Sequence, residues 1–183
     1  AKFDVARLKS KLGGSAPELG ERLAHLTETL NSVIALKRRI VEDLRPSSLE
    51  NLGLVPSLEI LTREFSERAQ IPVDATLEDL RLDSPEARLA VYRIVQESLT
   101  NVGKYAQAAR VRVRVAQYPA HAEVMIEDDG VGFDAGAQLP RATHGLQGMR
   151  HRVEAMGGRL AVESAPGAGT RVKATLPTAA ATA

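Results

Sequence analysis

The chain has no cysteine, no long apolar run and almost no net charge, and each absence excludes a class of protein. Without cysteine there is neither a disulfide framework nor a thiolate metal site, which fits a reducing cytoplasm. No apolar stretch approaches the roughly 20 residues that cross a bilayer, and no secretory signal pattern is present. The formal net charge of +1 gives the whole chain no bias towards nucleic acid, so direct nucleic acid binding is not expected.

What is present suits one domain of ordinary size with an appendage, because 183 residues with 44% hydrophobic content can build a useful core. The first residue is Ala1 rather than methionine, and it lies in a helix-prone stretch. We therefore expect a piece of a longer protein.

Residues 19–44 carry a seam with the four-three spacing of a heptad repeat. A capping box of Ser15 and Glu18, with Pro17 in the first turn, predicts that this helix begins near Ala16. The positions of the seam are Leu19, Leu23, Leu26, Leu30, Val33, Lys37, Ile40 and Leu44.

Residues 3–12 are also helix-prone, and they predict the first arm of a helical hairpin. A hairpin alone cannot bury such a seam, so a symmetric homodimer that forms a four-helix bundle is its natural completion. The alternative is an arm that packs on its own globular domain. Residues 1–46 are thus interpreted as a partial dimerisation hairpin, ended by Pro46.

The globular part follows this proline. Residues 47–69 are predicted to form a junction and an amphipathic helix, Val55–Ala69, before a strand that starts near Ile71. Ser84 and Pro85 open a further helix with a buried stripe at three- and four-residue steps.

Strict alternation in Arg110–Val115 predicts a half-buried strand with its arginines in water, and Ala122–Glu127 predicts its antiparallel partner. A loop resembling a lid is expected over Gly132–His144, then a helix over Gly145–Met156. The last two predicted elements are the strands Arg159–Ser164 and Thr170–Leu176. Residues 70–177 would form one domain and 178–183 a disordered tail. The fold class is α+β, a two-layer sandwich with helices on one face of a mixed sheet.

Three polar residues of the helix opened by Ser84 and Pro85 project from one stripe: Glu97, Asn101 and Lys104. Oxygen ligands beside an ammonium suit a magnesium phosphate, because Mg²⁺ keeps several waters and takes phosphate oxygens as ligands. On its own this spacing is weak evidence, since the polar face of an amphipathic helix usually faces solvent.

Two glycine-rich segments strengthen the case. Gly130 and Gly132 permit a tight turn after Asp128, whose carboxylate at a strand end can accept from an exocyclic amine such as that of adenine. The second segment is predicted to open a helix, where free backbone N–H groups favour phosphate. It consists of Gly145, Leu146, Gln147, Gly148 and Met149.

These elements together resemble the ATP-binding domain of sensor histidine kinases, which shares its fold with gyrase, the Hsp90 chaperones and the mismatch-repair ATPases. Residues 97–104 resemble the asparagine box, residues 128–132 and 145–149 the two glycine boxes, and Gly169-Thr170 the final G-T element. Four elements in the right order cover most of residues 67–177. The junction at residues 44–54 resembles the nitrate-sensor-like subfamily, whose partners are response regulators with helix-turn-helix output domains.

The resemblance implies a Bergerat-type fold and roles for individual residues. Asn101 would hold Mg²⁺, Glu97 would orient or deprotonate the attacking group, and Asp128 would bind the adenine amine. Lys104 would contact phosphate, and Thr170 would support Asp128 through water. The remaining nucleotide-binding candidates are Tyr105, Gly130, Gly132, His144, Gly145, Leu146, Gly148 and Met149.

Two features depart from the family pattern. Tyr105 stands where a histidine is common, and residues 1–14 contain no histidine that could serve as the phosphoacceptor. We therefore expect that this chain cannot phosphorylate itself. His25 lies at an outward heptad position and is interpreted as surface rather than as an acceptor, while His144 is a candidate phosphate contact.

The predicted function is that of the cytoplasmic catalytic core of a two-component sensor histidine kinase. It would bind ATP with Mg²⁺ and transfer the γ-phosphoryl group to a histidine, from which a response regulator would take it. The predicted function is compatible with attachment of the full-length protein to a membrane. The alternative is a non-catalytic dimeric nucleotide-binding or interaction scaffold of the same fold. A non-kinase ATPase of the superfamily would need a transducer domain, for which there is no room.

Overall fold

The computed structural model describes residues 22, 24–33, 46–82, 84–134 and 142–178, with the backbone alone at residues 142–144. The chain divides into two compact units, Ala1–Ser47 and Ser48–Ala183. In the first unit residues 24–33 are helical, as the heptad pattern predicts for them. The first hairpin arm, the four-helix bundle and the rest of the seam lie outside the described residues.

The second unit alternates helices and strands. The helices from Ser47 onward in the described part of the chain are α1 Ser47–Leu52, which begins at the last residue of the first unit, α2 Leu54–Ala69, α3 Pro85–Asn101 and α4 Ala142–Glu154. Its strands there are β1 Val73–Leu77, β2 Val111–Gln117, β3 His121–Asp128, β4 Arg159–Ser164 and β5 Thr170–Pro177. One turn of π-helix, Val102–Ala106, continues α3. No helix among the described residues is long and apolar enough to cross a membrane.

The five strands form one mixed sheet in the order β1-β2-β3-β5-β4. β1 runs parallel to β2, and α3 supplies the crossover that parallel neighbours require. β2 with β3, β3 with β5 and β5 with β4 are antiparallel pairs. In this register Asp128 at the end of β3 is opposite Thr170 at the start of β5.

The core lies between one face of the sheet and helices α2, α3 and α4. The alternating valines of β2 are completely buried, and Ile94 and Val95 of α3 are equally buried on the helical side. The predicted α+β class, with helices on one face of a mixed sheet, is therefore confirmed.

The opposite face of the sheet carries charged residues, as the alternation in β2 predicts. One row crosses all five strands in register and alternates in sign from β1 to β4: Asp74, Arg112, Glu127, Arg171 and Glu163. Neighbours along the row form ion pairs, the closest being Arg171 Nε to Glu127 Oε1 at 2.6 Å. The exposed Arg112 is thus an ion-pair partner as well as a surface residue.

Three local details differ from the sequence-based expectation. Helix α1 is an unpredicted element, and α4 begins at Ala142 and ends at Glu154 rather than spanning Gly145–Met156. The expected loop is therefore wrong for residues 142–144, while its residues 135–141 lie outside the described part. A first helical turn needs no apolar stripe, so periodicity could not locate this start. Thr178, expected in the tail, accepts from Gln117 Nε2 at 3.1 Å, and residues 179–183 are not described.

Candidate functional site

Helix α3 and the π-turn after it carry the predicted polar stripe. Ser84 caps α3, since its Oγ accepts from the N–H of Ala87 at 3.0 Å, and Pro85 occupies the first turn. The apolar stripe turns into the core, which leaves Glu97 and Asn101 half-buried on the other side of the helix. Lys104 and Tyr105 follow in the π-turn, both exposed, with 53% of Tyr105 accessible.

Glu97 lies against the first turn of α4. A Cβ placed on Gly145 would overlap Glu97 Oε1 and lie 3.1 Å from its Cδ. Only a residue without a side chain therefore lets the carboxylate occupy this position. The structure thus brings Glu97, from the asparagine-box-like segment, together with Gly145, from the second glycine-rich segment.

Asp128 ends β3 on the helix-covered side of the sheet and is half-buried. Its Oδ1 accepts from the N–H of Gly130 at 3.0 Å, and the backbone N–H of Thr170 also hydrogen-bonds to the carboxyl group. Burial raises the pKa of Asp128 above its usual value, although these two hydrogen bonds oppose the rise. Two donors fill only part of the roughly four acceptor positions of a carboxylate, so the group can accept from a ligand as well.

The next residue, Asp129, faces a different environment. Its Oδ1 accepts from the N–H groups of Ala109 at 2.8 Å and Arg110 at 2.9 Å. The backbone hydrogen bond from Arg110 is the main cause of the lowered pKa of this exposed carboxyl. The sequence analysis assigned no role to Asp129, although an aspartate beside a tight turn is a common acceptor for backbone N–H groups.

Gly130 joins the first glycine segment to the end of the π-turn. A Cβ at Gly130 would overlap the Ala106 carbonyl oxygen and lie 2.8 Å from its carbon. The same oxygen accepts from the N–H of Val131 at 2.7 Å. The close approach that predicted a glycine here is therefore an approach between two segments of the protein's own backbone.

Gly132 and Gly169 have positive φ angles of 58° and 70°, which favour glycine. A Cβ at Gly132 would overlap the carbonyl oxygen of Ala165, and one at Gly169 would overlap that of Asp128. The turn between β4 and β5 is thus packed closely against residues 128–132. The N–H of Gly167 also donates to the carbonyl of Val131 at 2.7 Å.

Ser164 connects these segments through its hydroxyl, and the sequence analysis missed it. Its Oγ accepts from the N–H of Phe133 at 2.9 Å and donates to the Gly169 carbonyl at 2.8 Å. It also lies 3.1 Å from Thr170 Oγ1. The only available signal was a small hydroxyl residue two positions before Pro166, at the start of a turn.

The remaining candidates lie on α4. Leu146 is partly buried against the core, and a Cβ on Gly148 would meet only the end of the Arg152 side chain, at 3.2 Å. Met149 is completely buried, and its sulfur accepts from Ser98 Oγ at 3.9 Å, so in this structure it is a core residue. The backbone of His144 is helical, and its side chain lies outside the described residues.

Few side chains of the described residues are suited to hold Mg²⁺. Within the described residues no cluster of three or more acidic, histidine or cysteine side chains could hold a metal ion. The half-buried amide of Asn101 at the end of α3 offers one neutral oxygen. Such a sparse set fits an ion that brings waters and phosphate oxygens of its own, which is how Mg²⁺ binds with nucleotides.

The predicted motifs thus meet at glycines where an added Cβ would overlap a neighbouring atom. Residues 97 and 145 are in contact, residue 130 lies on the end of the π-turn, and residues 132 and 169 join the β3 end to the β4–β5 turn. A half-buried carboxylate lies at one end of this arrangement, and a carboxylate and an amide lie along α3. These groups can accept from a base and coordinate the metal of a phosphate chain.

Comparisons with known proteins show the family to which the chain is similar. Residues 86–180 match the family model described as histidine kinase-, DNA gyrase B-, and HSP90-like ATPase. The chain is 34% identical over 158 residues to the signal transduction histidine-protein kinase/phosphatase DegS of Brevibacillus brevis, covering 86% of this chain and 41% of that protein. It is 34% identical over 156 residues to the sensor histidine kinase ComP of Bacillus subtilis, covering 83% of this chain and 20% of that protein.

Among solved structures, the blue-light activated histidine kinase of Erythrobacter litoralis EL346 matches with a TM-score of 0.58 and 20% identity. That match covers 96% of this chain and 58% of the other, and at this identity it shows a shared fold. The chain spans less than half the length of the two curated relatives. The nitrate-sensor-like assignment of the junction is not confirmed by these comparisons.

Proposed function

This chain belongs to the histidine kinase-, DNA gyrase B- and HSP90-like ATPases, as the ATP-binding domain of a sensor histidine kinase, and on that premise we propose that it binds ATP with Mg²⁺ for phosphoryl transfer to a histidine. One observation carries the proposal above the others. The half-buried Asp128 carboxylate lies opposite Thr170, keeps acceptor capacity after two backbone hydrogen bonds, and ends the strand that leads into the first glycine turn.

In this proposal Asp128 accepts from the exocyclic amine of adenine, with Thr170 beside it. A carboxylate without a proton has no donor for a keto oxygen at that position, so the site selects an amino purine. The first glycine segment would approach the nucleotide with Gly130 and Gly132. Leu146 and the other candidates of α4 would lie on the opposite side of the nucleotide from this glycine segment. Met149 would contribute by supporting the helix from the core.

The phosphate end of the site would lie along α3 and the π-turn. Asn101 would provide an oxygen ligand for Mg²⁺, and Lys104 would contact phosphate, with Tyr105 and His144 as further candidates. The ion would neutralise charge on the phosphates when bound. Glu97 would orient or deprotonate the attacking histidine, and the rate would come mainly from positioning and charge neutralisation.

The proposal for the longer protein extends beyond this chain. The phosphoacceptor histidine would lie outside it, so this chain alone would bind ATP without phosphorylating itself. A homodimer through the N-terminal helices, a response regulator with a helix-turn-helix output domain and a cytoplasmic location complete the proposal. The names of the relatives, a kinase/phosphatase and a sensor kinase, support this direction.

Calorimetric titration with ADP and Mg²⁺ tests the proposal directly. We expect saturable binding that Asp128→Asn weakens by roughly ten- to hundredfold, the usual effect of losing a hydrogen bond to a charged acceptor. Asp74→Asn is the matched control, since this exposed carboxylate lies on the opposite face of the sheet. Asn101→Asp should leave adenosine binding unchanged and alter the Mg²⁺ dependence of ADP binding.

The competing function is a scaffold that keeps the fold but binds no nucleotide. It predicts no heat from ADP for the unmodified chain, and no difference between the Asp128 and Asp74 variants. Equal effects of Asp128→Asn and Asn101→Asp on adenosine binding would instead contradict the assignment of separate base and metal roles.

A further inference from the structure

We propose that Ser164 is a specificity-determining residue of the nucleotide site, because it fixes the direction of the Thr170 hydroxyl and so helps the site reject 6-keto purines. The inference rests on the proposed function. It concerns a residue that touches neither the base nor the phosphates in that proposal. Ser164 would act through Thr170, so it is a positioning residue.

The hydroxyl of Ser164 can donate only one hydrogen bond. A serine hydroxyl has one hydrogen and two lone pairs. One lone pair accepts the Phe133 N–H at 2.9 Å, and the hydrogen goes to the Gly169 carbonyl at 2.8 Å. The remaining lone pair faces Thr170 Oγ1 at 3.1 Å, so Thr170 must be the donor in that contact.

The hydroxyl of Thr170 likewise has a single hydrogen. Because its single hydrogen is directed to Ser164, the threonine hydroxyl offers only lone pairs to anything else that approaches it. Asp128 is its direct partner across the β3–β5 pair, and paired residues project from the same face of a sheet. The helix-covered end of this pair therefore offers two acceptors side by side, a carboxylate and a hydroxyl.

Two acceptors together distinguish purines by the group at position 6. An amino group can donate, whereas a keto oxygen would oppose the lone pairs of both residues. If Thr170 were free to rotate, its hydrogen could turn towards a keto oxygen and relieve half of that conflict. Ser164 prevents this rotation by engaging the hydrogen.

The experiment compares the affinities of ADP and inosine diphosphate, which replaces the 6-amino group of ADP with a keto oxygen. We expect Ser164→Ala to lower the ratio of the two affinities by roughly three- to tenfold, the usual worth of one hydrogen bond. Ser164→Thr keeps a hydroxyl and should retain the ratio. In a Thr170→Val background Ser164→Ala should change the ratio no further, because the hydroxyl that it controls is gone.

Each outcome decides one question. If Ser164→Ala weakens both nucleotides by the same factor, or changes the ratio equally with and without the Thr170 hydroxyl, the inference is overturned while the proposed function stands. If the unmodified chain does not bind ADP, or Asp128→Asn binds it equally well, the proposed function fails and the inference fails with it.

Discussion

Glu97 and Gly145 are in contact across the site, so close that a Cβ on residue 145 would overlap the Oε1 atom of Glu97. The obstacle is the far end of a flexible side chain rather than backbone. A small side chain at position 145 would therefore move a carboxylate instead of distorting the fold. A substitution at position 145 can therefore test the role of Glu97 without lowering the stability of the domain.

Gly145→Ala should lower phosphoryl transfer without loss of stability. The alanine displaces the Glu97 carboxylate, and positioned acid–base groups contribute about 10²- to 10⁴-fold to such rates, so a partial displacement should reduce the rate about tenfold or more. Alanine in a helix is also favoured over glycine by about 0.5–1 kcal/mol. The measurements are ADP affinity, thermal unfolding, and transfer in a chain that carries a phosphoacceptor histidine.

His151→Ala is the control for this experiment. It lies in the same helix at an exposed position that has no role in the proposed site. It should share a gain in helix stability and keep the transfer rate. If Gly145→Ala loses stability and ADP binding together, the glycine is needed by the backbone, and the interpretation through Glu97 is wrong.

The pKa of Asp128 should lie above the ordinary aspartate value, and the pKa of Asp129 should lie below it. Burial raises the pKa of Asp128, whereas the backbone hydrogen bond from Arg110 lowers that of Asp129. NMR titration of the two carboxyl carbons in the nucleotide-free chain measures both values. A common value, or the reverse order, would contradict the burial described for Asp128 and the hydrogen bonding described for Asp129.

The two shifts have opposite consequences for stability. Because the pKa of Asp128 is raised, its stabilising contribution to folding is present at acid pH and is lost as pH rises through the folded-state pKa. At neutral pH the half-buried carboxylate is charged, so Asp128→Asn should stabilise the nucleotide-free chain. The lowered pKa of Asp129 gives stability that is present above the unfolded value of 3.8 and lost as pH falls through the folded-state pKa, so Asp129→Asn should destabilise it at neutral pH. Both differences should fade in acid, as followed by denaturant unfolding.

The sequence predicted the β2–β3 hairpin and the position of Asp128 because strict alternation is a local signal. It could not predict the π-turn at Val102–Ala106, because a single π-helical turn continues the α-helix and differs from it mainly in its i to i+5 hydrogen bonds. The parallel pairing of β1 with β2 was also invisible, since it joins residues such as Val73 and Val111 that are far apart in the chain. Ser164 could not be found because its partners, Phe133 and Gly169-Thr170, come from two other segments of the chain.

A matched pair of glycines tests the close packing of the β4–β5 turn. Gly132 and Gly167 both have positive φ, but a Cβ would overlap the Ala165 carbonyl oxygen at Gly132 and would meet open space at Gly167. Gly167→Ala should cost about 1–2 kcal/mol for the left-handed backbone alone. Gly132→Ala should cost a further amount of about 1–3 kcal/mol for the overlap.

Denaturant unfolding measures the two costs, and ADP titration measures the effect on the site. Only Gly132→Ala should weaken ADP binding, because the segment that it displaces continues from Asp128. Equal losses of stability in the two variants would show that the backbone angle, and not the close approach, explains the glycine at position 132.

The charged row on the open face of the sheet should contribute to stability mainly at its centre. Glu127 contacts both Arg112 and Arg171 and is only 17% exposed, whereas Asp74 at the edge is 67% exposed and 3.9 Å from Arg112. Glu127→Gln should cost about 0.2–1 kcal/mol per pair lost, and Asp74→Asn close to nothing. Denaturant unfolding at neutral pH compares the two variants.

Salt and pH should identify this loss as electrostatic. Burial acts to raise the pKa of Glu127, but the hydrogen bonds from Arg171 and Arg112 outweigh it and lower the pKa below 4.5. Its contribution is therefore present above pH 4.5 and lost as pH falls through the folded-state pKa. The difference between Glu127→Gln and the unmodified chain should shrink in 1 M salt, where the Debye length is only about 3 Å, although partial burial keeps part of it. A difference that stays constant across salt and down to acid pH would mean that Glu127 stabilises the sheet by packing, and that the row of alternating charges is only a surface pattern.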